Sequence, residues 1–368
     1  MSETMPTFHN VYQNKRVLVT GHSGFKGSWM ALWLTQLGAD VFGFSKYRPS
    51  EPCNFDVLQL GDLMEDIEGD VRNFDQLQGM FDRVQPDIVF HLAAQPIVRD
   101  SYEDPKLTFD TNLGGTVNVL ECIRASTTVQ AAVMITSDKC YENVGWDQGY
   151  KEEDRLGGAD PYSASKACAE IAFSAYYRSF FKDKNLAPIA ATRAGNVIGG
   201  GDWARDRIVP DCVRALSEEE NIVLRKPEAT RPWQHVLEPL SGYLWLGASL
   251  LKGSKGVVGE SFNFGPKEDV IQSVQELVEL FINKWGEGIW QHQPHEGSKK
   301  EANLLQLSCE KAKQRLGWEP VLSFEETVAM TAEWYRHYYE QNLNMRDYTI
   351  SHINEYVQLA KRDKGAWT

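Results

Sequence analysis

Short apolar runs alternate with longer segments in which apolar residues return every three or four positions, and this alternation organises the first half of the chain. "RVLVT" (16–20) predicts a strand, and "FKGSWMALWLTQLG" (25–38) predicts an amphipathic helix that stops at Gly38. Further strands are predicted at "DVFGFS" (40–45), within "MEDIEGDV" (64–71), and at "DIVFHLAA" (87–94), "AAVMITS" (131–137) and "IAATRAGNV" (189–197). Two long helices are predicted, from about Asp104 to Ala125 and over 160–181. The second has Pro161 near its first turn, where a missing N–H is harmless. Strand–helix alternation implies right-handed βαβ units and an α/β fold of Rossmann type, a doubly wound parallel sheet.

The pattern changes after Asn196. "GGGDWARDRIVPD" and "LRKPEATRPWQHV" are rich in loops, charge and tryptophan, and from about residue 272 the pattern is mainly helical. The stretch from "HVLEPLSGYLWLGASLL" to "FNFG" reads as a return to the first unit. The predicted division is therefore a Rossmann domain of residues 1–195 plus about 235–265, and a smaller, mainly helical domain of about 196–234 plus 266–368.

Charge and cysteine usage narrow the class. With 38 basic and 51 acidic residues the formal charge is −13, which argues against a general nucleic-acid binder but leaves room for a local anion pocket. The six cysteines, at 53, 122, 140, 168, 212 and 309, form no CxxC or zinc-type pair and read as reduced. No apolar run reaches membrane length and "MSETMPTFHN" lacks a basic-then-apolar signal, so a cytoplasmic protein with no membrane partner is expected.

Candidate chemistry begins at "VTGHSGFKGSWM". Gly21, Gly24 and Gly27 sit between a predicted strand and helix, the context in which glycines let a backbone approach a dinucleotide pyrophosphate and aim helix N–H groups at it. His22, Phe25 and Lys26 fill the same turn, and the two polar ones are expected to compete for space and field near the pyrophosphate. The acidic residue expected about 20 positions on, for the ribose hydroxyls, is absent. "GFSKYRPS" offers Ser45 for the ribose, and Arg48 or Lys46 for a 2′-phosphate, so NADP stays open beside NAD. Asp70 and Val71 are candidates for the adenine, and Leu92, Ala93 and Ala94 for the cofactor wall.

Tyr162 and Lys166, four apart at the start of a helix, share one face. An adjacent ammonium favours the phenolate and makes the tyrosine a usable base. Ser137, ending the fifth strand, is placed to hold the same substrate oxygen. Arg193, Arg207 and Arg231, with Asn196, are candidates for a nucleotide diphosphate, with Gln95 also toward substrate. Trp203 and Trp233 either stack on a base or pack the small domain. His292, His295 and Glu296 read as a solvated loop, and no metal is expected.

"TGHSGFKG", "HLAAQ", "TSDKCYEN" and "YSASK" together resemble the extended short-chain dehydrogenase/reductase superfamily over most of the chain. Within it, "TSDKCYEN", "GYKEEDRLGGADPYSASKACAE", "GNVIGGGDW" and "RPWQHVLEPL" are similar to the CDP-glucose 4,6-dehydratases. The resemblance implies an NAD-dependent internal redox reaction that removes water from CDP-glucose, a step toward deoxysugars of surface polysaccharide such as lipopolysaccharide O-antigen. It also implies a homodimer through the two long helices. Asp138 fits as acid for the departing C6 hydroxyl. Lys139 stands where related dTDP-glucose dehydratases carry glutamate, which leaves the C5 base open between Lys139 and another group. The alternatives are an epimerase or reductase of another nucleotide sugar, and a redox-sensing binding protein on the same scaffold.

Overall fold

The computed structural model describes residues 7–146, 148–183, 186–267, 271–293, 304–340 and 344–368. Seven parallel strands form the central sheet: β1 (Arg16–Thr20), β2 (Asp40–Ser45), β3 (Glu65–Glu68), β4 (Ile88–His91), β5 (Ala131–Ile135), β6 (Ile189–Arg193) and β7 (Ser261–Asn263), in the order β7-β6-β5-β4-β1-β2-β3. The order reverses direction beside β1, which is where a doubly wound sheet opens a crevice at its strand ends. Successive residues face opposite sides, so the inner strands are apolar throughout. Val17, Val19 and Phe90 pack one layer; Leu18, Val89 and Met134 pack the other. Edge strand β3 instead exposes Glu65, Asp66 and Glu68, which discourages pairing with another chain.

Helix α1 (Phe25–Gln36) follows β1, and its Gly27–Leu34 stretch is buried on every face rather than being amphipathic. The covering comes from the far end of the chain: Trp33 meets Tyr356 and Trp367 edge-on. Helix α2 (Phe74–Val84), capped by Asn73, lies between β3 and β4 and was not anticipated from the sequence. The first long helix is α3 (Pro105–Phe109), a π-helical turn (Asp110–Gly114) and α4 (Gly115–Ala125). The second is α5 (Pro161–Tyr176), which runs into a π-helical turn (Tyr177–Phe181). Asp160 caps α5 by accepting from Ser163 N–H at 2.9 Å, with Pro161 at its first position. Helix α6 (Leu237–Leu251) returns to the sheet, and β7 then pairs with β6. Helices α7 (Val274–Trp285), α8 (Phe324–Tyr339) and α9 (Met345–Arg362) dominate the C-terminal part. Among the described residues no helix is long and apolar enough to cross a membrane.

Candidate active site

A cavity of about 1550 Å³ opens across the carboxyl ends of β1, β2, β4, β5 and β6 and runs into the loops after β6. At one end lies the glycine turn. Gly21 has φ +75°, and a Cβ there would stand 2.7 Å from Ala93 N; a Cβ on Gly27 would stand 2.1 Å from Gly21 O. The first closes the turn against β4 and the second seats the helix on the strand, so neither position admits a side chain. Gly24 is the N-cap of α1 and offers no side-chain oxygen, leaving first-turn N–H groups for a ligand anion. The wall is set by a buried relay. Thr20 Oγ1 accepts from Ala93 N–H at 3.2 Å and donates to His91 Nδ1 at 2.7 Å, and His91 Nε2–H donates to Thr116 at 3.2 Å. Burial pushes the His91 pKa down to about 3, so this ring is neutral. Leu92, Ala93 and Ala94 line the cavity behind it.

Two residues assigned to the cofactor by sequence face elsewhere. The His22 ring is fully buried behind the turn, where only Gly43 leaves it room; its Nε2–H donates to Asp66 at 2.7 Å and its Nδ1 accepts from Ser45 Oγ at 3.0 Å. Arg48 lies over the Phe55 ring and pairs with Asp56 and Asp66. Both side chains are drawn to carboxylates beside the sheet edge, away from the cavity lining. Ser45 does line the cavity, although its hydroxyl also receives Ser23 N–H at 3.3 Å. Asp70, held by Arg72 to a pKa of about 2, and buried Val71 line the end beyond it, where Lys46 pairs with Asp70 at 3.3 Å.

Phe25 and Lys26 line the cavity from the start of α1. The Lys26 ammonium points over the Tyr243 ring, 5.9 Å from its centroid. Burial, and then Arg207, lower its pKa to about 8, and Asp138, Lys166 and Lys139 also feel its charge.

At the other end stand the residues after β5 and at the start of α5. Ser137 donates to Asp138 Oδ1 at 2.9 Å, and it is near enough to the Tyr162 phenol to lower its pKa. Asp138 is buried with its Oδ2 unpaired in a hydrogen-bonding sense; the half-buried Lys139 ammonium lies 3.6 Å from it. Gly195 passes so close to this carboxylate that a Cβ would overlap it. Burial raises the Tyr162 pKa to about 12, against a lowering by Ser137, and burial lowers that of Lys166 to about 8.

The substrate candidates separate. Asn196 (φ +51°), Arg207, Arg231 and Trp233 line the cavity. Arg207 donates to Asp202 at 2.7 Å and is close enough to influence Tyr162 and Lys26. The buried Trp233 Nε1 has no protein acceptor. Trp203 packs edge-on against Trp334, Tyr335 and Tyr338. Gln95 lines the cavity but folds its amide onto Ile97, accepting from its N–H at 2.6 Å and donating to its carbonyl at 2.9 Å. Arg193 does not reach a phosphate site: it is buried in an ion pair with Glu170 at 2.8 Å, outside the main cavity. At the end of β6 its side chain goes to the α5 side of the sheet, where Glu170 neutralises it.

Asn112 was missed. It sits in the π-helical turn, donates to Ser165 Oγ at 2.9 Å and Gln95 O at 3.1 Å, and accepts from Gln95 N–H at 2.8 Å. It joins the loop after β4 to the catalytic helix, and a polar side chain inside "DTNLGG" was its one signal. Among the described residues no group of three or more His, Cys, Asp or Glu is arranged to hold a metal; His292 ends a short strand (Trp290–His292), and His295 and Glu296 lie outside the described residues.

Residues 18–331 match the family model of GDP-mannose 4,6 dehydratase. This chain belongs to that family. A member from Salmonella typhimurium, a CDP-glucose 4,6-dehydratase, is 45% identical over 332 residues, 89% of this chain and 92% of the relative. Another, the dTDP-glucose 4,6-dehydratase of Bacillus anthracis in complex with NAD, superposes with a TM-score of 0.73 at 25% identity, covering 89% of this chain and 97% of that one. An epimerase from Methanothermobacter thermautotrophicus superposes with a TM-score of 0.77 at 24% identity over 94% of this chain and 98% of that one, a likeness of fold. In this chain the cavity lies where the strand ends, the glycine turn and the helix carrying Tyr162 converge.

Proposed function

We propose that the protein is a hydro-lyase that converts CDP-D-glucose to CDP-4-dehydro-6-deoxy-D-glucose with bound NAD. The observation that carries it is Asp138. A buried carboxylate oxygen that receives no hydrogen bond lies 3.6 Å from the Lys139 ammonium, on the segment beside Ser137 and in the same cavity as Tyr162, so acid–base groups beyond those needed for oxidation share one cavity. The 45% identity to a CDP-glucose 4,6-dehydratase points to the same substrate.

The residues fit a dinucleotide. The glycine cradle excludes any Cβ, α1 presents uncapped N–H groups, and the cavity continues from there to Tyr162. Gly21, Gly24, Gly27, Phe25 and the 92–94 wall would hold it, with Ser45, Asp70 and Val71 at the adenosine end. When bound, NAD supplies the acceptor for the hydride leaving C4 and the donor for its return to C6, so no external reductant is consumed. Tyr162 removes the C4 hydroxyl proton while Ser137 holds that oxygen, and Lys166 stabilises the phenolate across one helical turn. The resulting 4-keto group acidifies the C5 hydrogen. With the Lys139 amine neutral and the Asp138 carboxyl protonated, Lys139 takes that proton and Asp138 gives its own to the departing C6 hydroxyl, so water leaves across C5–C6; Lys139 then returns a proton to C5 as C6 is reduced. Arg207, Arg231 and Asn196 take the diphosphate, and Trp233 lies beside the base.

The proposal includes the division into a cofactor domain (1–195 with 235–265) and a nucleotide-sugar domain (196–234 with 266–368). It also includes a cytoplasmic homodimer paired through the two long helices; Ile171, more than half exposed on α5, suits such a face. NAD rather than NADP is the cofactor, because Arg48 is committed to two carboxylates. The test is incubation with NAD and a panel of nucleotide diphosphoglucoses, with product read by mass. CDP-glucose should lose one water with no net cofactor reduction. An unchanged mass with an inverted sugar, or stoichiometric change in cofactor absorbance, overturns the reading.

A further inference from the structure

The dehydration residues Asp138 and Lys139 sit on a short segment after β5, whereas Tyr162 and Lys166 sit on α5. Both sets must address one sugar ring, so their relative position has to be fixed. The residues that flank the segment are tied to a single buried pair. Before it, Thr136 Oγ1 donates to Glu170 Oε1 at 2.5 Å. After it, the Tyr141 hydroxyl accepts from Arg193 at 2.7 Å and donates to Asn263 Oδ1 at 2.7 Å. Between them, Arg193 donates to Glu170 Oε2 at 2.8 Å, an oxygen that also receives Ser261 Oγ at 2.8 Å. The two charged side chains are 4% and 1% exposed. Glu170 continues the four-residue step of Tyr162 and Lys166, so one face of α5 carries the oxidation pair and the anchor together.

A buried ion pair adds little net stability over apolar packing, because desolvation offsets the attraction. Its geometry is nevertheless specific, since the guanidinium presents a rigid fork. We propose that Glu170 and Arg193 are positioning residues for elimination. They clamp both ends of the Ser137–Lys139 segment to α5, so that Asp138 and Lys139 meet C6 and C5 while Tyr162 meets C4. The inference rests on the dehydratase reading.

Two variants release one end each without leaving a buried charge unpaired: Thr136→Val and Tyr141→Phe. In both, Glu170 keeps Arg193 and Ser261. Single turnovers with NAD and CDP-glucose separate the steps: reduced-cofactor absorbance reports oxidation, and mass distinguishes the 4-keto hexose from product short of one water. Oxidation should change by less than about threefold while elimination falls on the order of 10- to 100-fold, the scale of a small misplacement of reacting groups. The 4-keto hexose and reduced cofactor should then accumulate. Thr136→Ser, which returns the hydroxyl, should restore elimination. A proportional fall in both steps, no fall in either, or a Thr136→Ser variant as slow as Thr136→Val overturns the clamp, even where melting temperatures drop. Wild-type enzyme run alongside tests the underlying reading: if it removes no water from CDP-glucose, that reading falls and the clamp with it. If it does and the variants keep the wild-type ratio of steps, only the clamp falls.

Discussion

Tyr162 is the base proposed for the first step, and a phenylalanine there removes one hydroxyl and little else. The ring is buried, so Tyr162→Phe should keep the packing and the nucleotide-sugar binding. Oxidation at C4 should fall by on the order of 10²–10⁴-fold, the usual contribution of a positioned acid or base. Stopped-flow formation of reduced NAD checks this, and near-normal formation would remove Tyr162 as the base. Asp138→Asn and Lys139→Met should behave differently. They leave Tyr162, Lys166 and Ser137 in place, so reduced cofactor and the 4-keto sugar form while water is lost slowly. Solvent-deuterium exchange at C5 should fall with elimination in Lys139→Met; exchange at the wild-type rate would assign the base to another residue. Local spacing made these residues legible, since a helix turn or a strand end fixes where neighbours in sequence point. His22, Arg48 and Arg193 do not point where their places in the glycine turn, after the second strand and near the end of the sixth suggest. Their directions depend on Asp66, Asp56 and Glu170, which are distant in sequence and meet them only in the fold.

The elements show the same division. The six predicted strands are present; five are largely apolar because a strand buried on both faces is a run of apolar residues, whereas β3 is a polar, exposed edge strand. The seventh, β7, has only three residues, too few to show a period. Helix α2 carried a clear amphipathic pattern behind Asn73 and was passed over, whereas α1 looked two-faced and is buried all round because the C-terminal helices cover its outer side. The joint between β1 and α1 is the element most exposed to change. A methyl at Gly27 would stand 2.1 Å from Gly21 O, so the helix must lift from the turn. Gly27→Ala should therefore lower both the melting temperature and NAD affinity, measured by calorimetry, and unchanged NAD binding would show that the joint is not the cradle. On the same turn, Lys26 places a half-buried cation near Lys166 and Arg207. Lys26→Ile should bind NAD several-fold more tightly, since a cationic nicotinamide joins that cluster; equal or weaker binding would mean that the ammonium serves the pyrophosphate instead.

Over the whole molecule, the formal charge of −13 conceals a positive centre. Lys26, Lys139, Lys166 and Arg207 gather around one cavity, with Asp138 beside the lysines and Asp202 paired to Arg207 as opposing charges. With Arg207 already paired to Asp202, the unbalanced charge lies on the lysines; such a centre suits an anionic nucleotide sugar and a dinucleotide, and it strains the empty protein. Burial lowers both Lys26 and Lys166 from 10.5 to about 8, whereas in the unfolded chain each titrates at its ordinary value. Between pH 8 and 10.5 the unfolded state thus binds more protons than the folded one, and unfolding free energy rises with pH. Below pH 8 both states are protonated and the full cost of the buried charge is present, on the order of 3 kcal/mol for each lysine. Without cofactor, Lys26→Met and Lys166→Met should each melt several degrees higher than wild type at pH 7. The gain should shrink steadily toward pH 10. Comparing variant with wild type at each pH removes the contribution of other titrating groups. A gain that is constant with pH would come from packing rather than charge, and a gain that grows with pH would reverse the sign of the argument. Saturating CDP-glucose should erase most of the pH 7 difference for Lys26→Met, because the diphosphate then offsets the charge that the empty cavity leaves unbalanced.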